Sequence, residues 1–532
     1  MIHLALLLAC AAQDVAESPW GVAPSHSASW GIGSWAPAIA QTGIHWMRGF
    51  YQAEPDRVLP IAEKNGYQVA GILAWSNKKG QEFTFPSDLL PEWKAYVADT
   101  VRKCKGRVRH WEVWNEPPNF SANKSPVDYA KIVAAAYAAA KEVDPTVQIG
   151  LAAQSVNLSF LAQALEAGAA GCFDYVTVHP YEVMDLVAQG WEAQYLSIVP
   201  TIRKMLADKS PAQKDVPVWI TEVGQPVEKG VTQERQADTV VKAFTLSLAQ
   251  GVRRIHWFEG IDGDSGPFGF IAGNNGNAPK RLSYTAMTQL IQHLGQTPRF
   301  VGWMFLQQRH PAFVFEGAAG AVAVAWAPPK TSEKLALGAK RRVVQPRSGE
   351  TSEVETVELT NSPLFILGAP AAWVAEAKAN AGRPYPWGGD YTGAASVSWD
   401  AAGGSKGLHL VGEERIVTID GQPARDQSRH GGQTFTVDPN FLSYTTVPIK
   451  ITAVMRRNGE KGAGFNLKYE AKEGWKGGLG WYTLPSGPQW TKQSWSIKDP
   501  QFVGKFGTHF TFDSDSTQHS DYSLLSVTVT KE

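Results

Sequence analysis

Between residues 20 and 296 the chain alternates short β-rich runs with longer helical patterns eight times, and this alternation limits the fold more than any other feature. The runs are Trp20-Gly-Val-Ala23, Ile44 to Arg48, Gln68 to Trp75, Val108 to Trp114, Gln148 to Leu151, Tyr175 to His179, Val218 to Thr221 and Arg254 to Phe258. Among the intervening segments, Val127 to Val143 has Ser125-Pro126 as N-cap and first-turn proline and Asp144-Pro145 as a stop. Gln233 to Ala249 and Arg281 to Leu294 have the same helical texture. Eight βα units in this length fit an α/β fold of the (β/α)8 TIM-barrel type, which usually takes about 250 residues. A doubly wound open sheet is the competing arrangement, but no glycine-rich phosphate loop follows the first run.

After Leu294 the helical periodicity disappears. Residues 297–369 carry alternating runs such as Ala312 to Phe315, Ala321 to Trp326 and Val357 to Leu367, read as a small β domain. An Ala-, Gly- and Pro-rich stretch from Ala369 to Gly389 reads as a linker or first turn. Short strands with Gly, Asn and Asp turns then continue to Tyr522–Thr530, so residues 370–532 are expected to form a C-terminal β-sandwich. The expected division is thus a leader over 1–19, a barrel over 20–296, and two β domains. That suits 532 residues, because single cores stop growing at roughly 250–300.

Charge and cysteine content narrow the partners. Fifty Lys and Arg balance fifty Asp and Glu without a long basic run, which argues against a nucleic-acid partner. No apolar run reaches the roughly 20 residues that span a bilayer. The cysteines Cys10, Cys104 and Cys172 form no CxxC or metal-spaced Cys/His set, so neither a zinc site nor a disulfide framework is expected. Cys10 closes the apolar run from Met1, and Leu7-Leu8-Ala9-Cys10 resembles a bacterial lipobox. The run has no preceding Lys or Arg and is shorter than the usual 15–30 residues. The expectation is a secreted or periplasmic protein with Cys10 as a candidate lipid anchor; the alternative is an ordinary apolar N-terminus with the true start upstream.

On a barrel, chemistry belongs at the C-terminal strand ends. Two carboxylates stand there: the fourth run ends His110-Trp-Glu-Val-Trp-Asn-Glu-Pro117, and the seventh ends Val218-Trp-Ile-Thr-Glu222-Val-Gly224. Trp114-Asn115-Glu116-Pro117 and Ile220-Thr221-Glu222 resemble the acid/base and nucleophile motifs of the retaining glycoside hydrolases of clan A, most like family 39 or a close relative, over roughly residues 20–370. The resemblance implies Glu116 as general acid/base and Glu222 as nucleophile in a double displacement on a β-linked oligo- or polysaccharide, with neither cofactor nor metal. It requires Glu116 protonated and Glu222 ionised near neutral pH. Asn115 and Glu116 are adjacent, so a regular strand would point them to opposite faces; both reach one site only if regular pairing ends there.

The same resemblance implies supporting roles: Asn115 on the sugar 2-hydroxyl, Tyr181 on the nucleophile, and Trp257 as a platform under the sugar. Arg48 would depress the pKa of Glu222, or instead neutralise a barrel carboxylate such as Glu112. His179 belongs either to the site or to the layer behind it. Glu259 and Asp262 are rival carboxylates without a motif. The segment Asp262 to Lys280 is long enough to form a loop over the cleft. Tryptophan (20) outnumbers tyrosine (15), so Trp30, Trp35, Trp75 and Trp191 are candidates for further sugar positions. Trp387, Trp399, Trp475, Trp481, Trp490 and Trp495 are candidates for a carbohydrate-binding face on the sandwich; for any one of them core packing is the alternative. A catalytically inactive glycan-binding barrel and a transglycosylase remain the rival functions.

Overall fold

The computed structural model describes residues 17–49, 55–75, 83–307, 310–317, 320–385, 390–412, 415–428, 431–459 and 462–532. The Met1–Cys10 run and Trp387 lie outside the described residues. Two compact units emerge, one of residues 1–190 and 205–383, the other of residues 191–204 and 384–532.

The first unit contains a closed eight-stranded parallel barrel. Its strands are β1 (Trp20–Ala23), β2 (Trp46–Gly49), β3 (Gln68–Leu73), β4 (His110–Val113), β5 (Gln148–Gln154), β6 (Tyr175–His179), β7 (Val218–Val223) and β8 (Arg254–Phe258). β8 closes the ring on β1 through pairs such as Gly21↔His256 and Val22↔Trp257. Most strand residues are buried on both faces, as expected for a sheet covered inside by packed side chains and outside by helices. Helices form where capping signals stood: Ser125 Oγ accepts from Asp128 N–H at the start of Pro126–Val143, and Thr232 Oγ1 from Arg235 N–H at the start of Gln233–Ala249.

Aromatic rings fill the N-terminal end of the barrel. Trp219 lies 4.6 Å from Tyr175, 4.9 Å from His110 and 5.5 Å from Trp46, ring centre to ring centre. Glycines make room for rings on neighbouring strands: a Cβ on Gly71 would stand 2.4 Å from Trp111, and one on Gly150 2.7 Å from Tyr175. Arg254 lies over Trp46 and Trp219 at this same end, while Arg48, Glu116 and Glu222 line a cavity at the other.

A six-stranded antiparallel sheet completes this unit: β9 (Arg299–Leu306), β10 (His310–Gly317), β11 (Gly320–Ala325), β12 (Glu333–Val344), β13 (Thr351–Leu359) and β14 (Leu364–Leu367), in the order β13-β12-β14-β11-β10-β9. Helix Ala371–Asn380 packs on it, in a stretch that reads from sequence as linker. Gly302 admits this approach, since a Cβ there would stand 1.8 Å from the Ala377 carbonyl oxygen.

In the second unit the strands are β15 (Ser396–Asp400), β16 (Gly404–Lys406), β17 (Leu408–Val411), β18 (Ile416–Ile419), β19 (Gln422–Asp426), β20 (Gly432–Val437) and β21 (Ile449–Arg457). They continue with β22 (Gly464–Ala471), β23 (Gly474–Lys476), β24 (Trp481–Thr483), β25 (Thr491–Ile497), β26 (Phe510–Asp513) and β27 (Tyr522–Lys531). One sheet runs β16-β15-β27-β19-β18, with β21 joining β27 to β25; the other runs β17-β20-β26-β22, with β23 and β24 both paired to β22. Side chains from both sheets, among them Trp399, Ile451, Phe465 and Phe512, share one apolar core. The segment 191–204 belongs to this unit: Trp191 stacks on His409 at 4.6 Å and Thr201 Oγ1 bonds Ser443 Oγ at 2.7 Å.

Candidate active site

At the C-terminal end of the barrel lies a cavity of about 890 Å³, lined by Arg48, Asn115, Glu116, Tyr181 and Glu222 together with Trp30, Arg57, Phe120, Phe258 and Phe268. β4 ends at Val113, and Trp114 and Glu116 then take positive φ, 71° and 47°. This left-handed turn is uncommon outside glycine and breaks strand alternation, which is how the adjacent Asn115 and Glu116 both reach the cavity. β7 solves the same problem with a register shift between Ile220 and Val223, so that Thr221 and Glu222 both approach His179.

The polar groups form one connected cluster. The Arg48 guanidinium donates from Nε to Glu112 Oε2 (2.7 Å), from Nη2 to Asn115 Oδ1 (2.8 Å) and from Nη1 to Glu222 Oε1. It serves both carboxylates between which the sequence left a choice. Tyr181 donates its hydroxyl to Glu222 Oε2 at 2.9 Å. His179 Nδ1 lies 2.8 Å from Glu116 Oε1 and 3.7 Å from Glu222 Oε2, while its Nε2 lies 3.0 Å from Thr221 Oγ1. One oxygen from each glutamate and a ring nitrogen of His179 all lie within 4.8 Å of one another, the single such grouping of possible metal-binding side chains among the described residues. Those atoms are already engaged with each other, with Thr221 and with Arg48 and Tyr181.

Burial and charge move the three groups in different directions. Burial pushes Glu222 above the ordinary carboxylate range, although His179 and Arg48 pull it down. Burial also raises Glu116, but the hydrogen bond and charge of His179, reinforced by Arg48, outweigh it and hold Glu116 below that range. For His179, burial lowers the pKa and the two glutamates raise it, with a net upward shift. The contact between His179 Nδ1 and Glu116 Oε1 thus favours the charged form of each, whereas burial favours the neutral form of Glu222. The reason is contact, since the imidazole bonds Glu116 directly whereas Glu222 is the more completely desolvated.

Arg48, Asn115, Glu116, His179, Tyr181 and Glu222 are therefore brought together, and Trp257 is not. Trp257 is 0 % exposed, stacks on Phe270 at 5.9 Å and donates to the Phe268 carbonyl; alternation along β8 turns the next residue, Phe258, toward the cavity instead. Trp35 is buried, Trp75 stacks on Tyr96, and Trp191 belongs to the other unit. Of the rival carboxylates, Glu259 accepts backbone N–H groups of Ser25 and Gly263, and Asp262 pairs with Arg281. Asp264, Ser265 and Phe268 from the loop after β8 line the cavity. Phe120 and Arg57 escaped the sequence reading, and Thr221 entered it only as part of the Ile220-Thr221-Glu222 motif, with no role of its own.

No protein-family model matches the chain, and no curated protein matches its sequence. Among solved structures, a family 39 glycoside hydrolase from the gut symbiont Bacteroides cellulosilyticus WH2 superposes with a TM-score of 0.55 at 18% identity, covering 66% of this chain and 81% of that one. The GH39 enzyme from Xanthomonas axonopodis pv. citri gives 0.48 at 15% identity, covering 66% and 94%. A GH30 endoxylanase from Clostridium papyrosolvens C71 gives 0.47 at 15% identity, covering 66% and 96%. The likeness to the first is one of fold. No helix among the described residues is long and apolar enough to cross a membrane.

Proposed function

We propose that the chain is a retaining glycoside hydrolase that cleaves a β-linked oligo- or polysaccharide by double displacement. The observation that carries this reading is the approach of Glu116 and Glu222 oxygens to within 4.8 Å at the barrel mouth. Retaining enzymes hold their two carboxyl groups about 5–5.5 Å apart; inverting enzymes keep about 6.5–9.5 Å to leave room for a water. Glu222, oriented by Arg48 and Tyr181, attacks the anomeric carbon. Glu116 protonates the departing oxygen and later takes a proton from the attacking water. The proton it delivers comes along the 2.8 Å bond from His179. Because Asn115 Oδ1 accepts from Arg48, its Nδ2 is the group left to meet the sugar 2-hydroxyl.

The test is a panel of β-glycosides followed by NMR of the first product. The expected outcome is retained configuration, no turnover in Glu222→Ala, partial recovery of that variant with azide, and a loss of about 10²–10⁴ in kcat for Glu116→Ala. Inversion would sink the double displacement, chain-lengthened products would identify a transglycosylase, and binding without turnover would identify a glycan-binding barrel.

The sandwich unit is read as a glycan-binding module. Phe465, Leu467 and Tyr469 of β22 face the core, whereas Asn466 and Glu470, on the opposite face, pair with Trp481 and Trp475. Glu470 is buried under the Val503, Gly504 and Lys505 N–H groups and Trp475 packs on Phe506, whereas Trp481 is 41 % exposed beside His519, so Trp481 is the indole offered to a glycan.

A further inference from the structure

We infer that Trp30 and Phe120 are the sugar-stacking walls of binding positions on either side of the cleavage point, which makes the substrate a chain of several sugars rather than a glycoside of one. The inference rests on the hydrolase reading and deepens it.

Trp30 (56 % exposed) and Phe120 (61 %) are the two most exposed large apolar side chains among the described residues, and both line the cavity that holds Glu116 and Glu222. Large rings left in water forgo the stabilisation of burial, so their shared location at one cavity points to a ligand that covers them. Trp30 follows β1 and Phe120 follows β4, three positions apart in a ring of eight strands, so they stand on nearly opposite sides of the barrel mouth. Phe120 lies four residues beyond Glu116 in the chain and lines the same cavity.

Trp30 is also held in place. It ends the short helix His26–Trp30, whose first turn is capped by Ser25, and the Ser25 N–H donates to the buried Glu259 at 2.9 Å. Ser27 and Asp264 exchange two further hydrogen bonds between the same loops. The Arg57 guanidinium lies 4.6 Å from the centre of the indole and donates to the Ser29 and Trp30 carbonyls, while Trp30 Nε1 donates to His26 Nε2. With one face against a cation and its N–H engaged, the indole presents its other face as a fixed apolar plane. Such a plane suits the C–H face of a neutral pyranose.

The probes are cellohexaose, xylohexaose and mannohexaose with the matching 4-nitrophenyl β-glycosides, applied to the full chain. The ratio of kcat/KM on the hexasaccharide to that on the aryl glycoside is expected to fall at least tenfold in Trp30→Ala and in Phe120→Ala, and to recover largely in Trp30→Phe. An unchanged ratio in an active enzyme would overturn the inference and leave the hydrolase reading standing. If the wild-type chain binds a hexasaccharide in calorimetry without cleaving it, the hydrolase reading fails; loss of that binding in Trp30→Ala then supports the stacking role, and its retention overturns it. Neither turnover nor binding across the panel overturns both.

Discussion

His179 holds the position through which the two glutamates communicate. It touches Glu116 and Thr221 and stands 3.7 Å from Glu222, and the two carboxylates move its pKa upward from the ordinary 6.5 against the effect of burial. On the proposed double displacement, the imidazolium present below that folded-state value recharges Glu116, and acid catalysis is expected to fall as pH rises through it. The basic limb of kcat/KM therefore reports the Glu116–His179 pair rather than either group alone. Wild type is expected to show this limb above pH 6.5, and His179→Gln to show it at lower pH, because the proton then has only a carboxylate to occupy. An identical limb in the two proteins would remove His179 from the proton path. Both glutamates were legible as carboxylates at the ends of the fourth and seventh strands, and their expected roles came from the resemblance of the motifs around them to those of clan A. The directions in which their pKa values move were not, because they depend on which carboxylate the imidazole touches.

At the scale of elements, the site depends on two strands that stop being regular where chemistry begins. β4 gives way to positive-φ residues, and β7 shifts register before Glu222. Gly224 closes that second irregularity: a Cβ there would lie 2.1 Å from the Phe258 carbonyl oxygen and 3.0 Å from the Phe268 ring. Backbone cannot retreat as a flexible side chain can, so Gly224→Ala is expected to cost about 1–3 kcal/mol. Turnover should fall with it, because the strand end that must move carries Glu222. Denaturant midpoint and kcat measured together check this; wild-type values for both would show that the β7 and β8 ends yield freely. The eight strands were readable in advance as β-branched and aromatic runs bounded by breakers, within a few residues at each end. Trp257, given a platform role by the resemblance, lies buried against Phe270 instead, and a run of buried residues such as Arg254–Phe258 has no polar alternation to show which face is inward.

For the molecule as a whole, two units with separate cores imply separable functions. If the sandwich binds glycan through Trp481, then Trp481→Ala in the full chain should lose retardation in polysaccharide affinity gels. Cleavage of soluble hexasaccharides by the first unit should stay near wild type. Equal retardation of variant and wild type would leave the sandwich a structural module. By itself the sequence determined the α/β barrel, the β-rich remainder and the strand ends that carry Glu116 and Glu222, because periodicity, capping and turn chemistry act between residues close in the chain. Tertiary structure alone decided that Arg48 reaches partners 64, 67 and 174 residues away. It also decided that residues 191–204 join the sandwich unit, and that Trp30 and Phe120 rather than Trp257 face the cavity. These outcomes are set by proximity through space and by how completely each group is withdrawn from water, and neither quantity exists until the chain has folded.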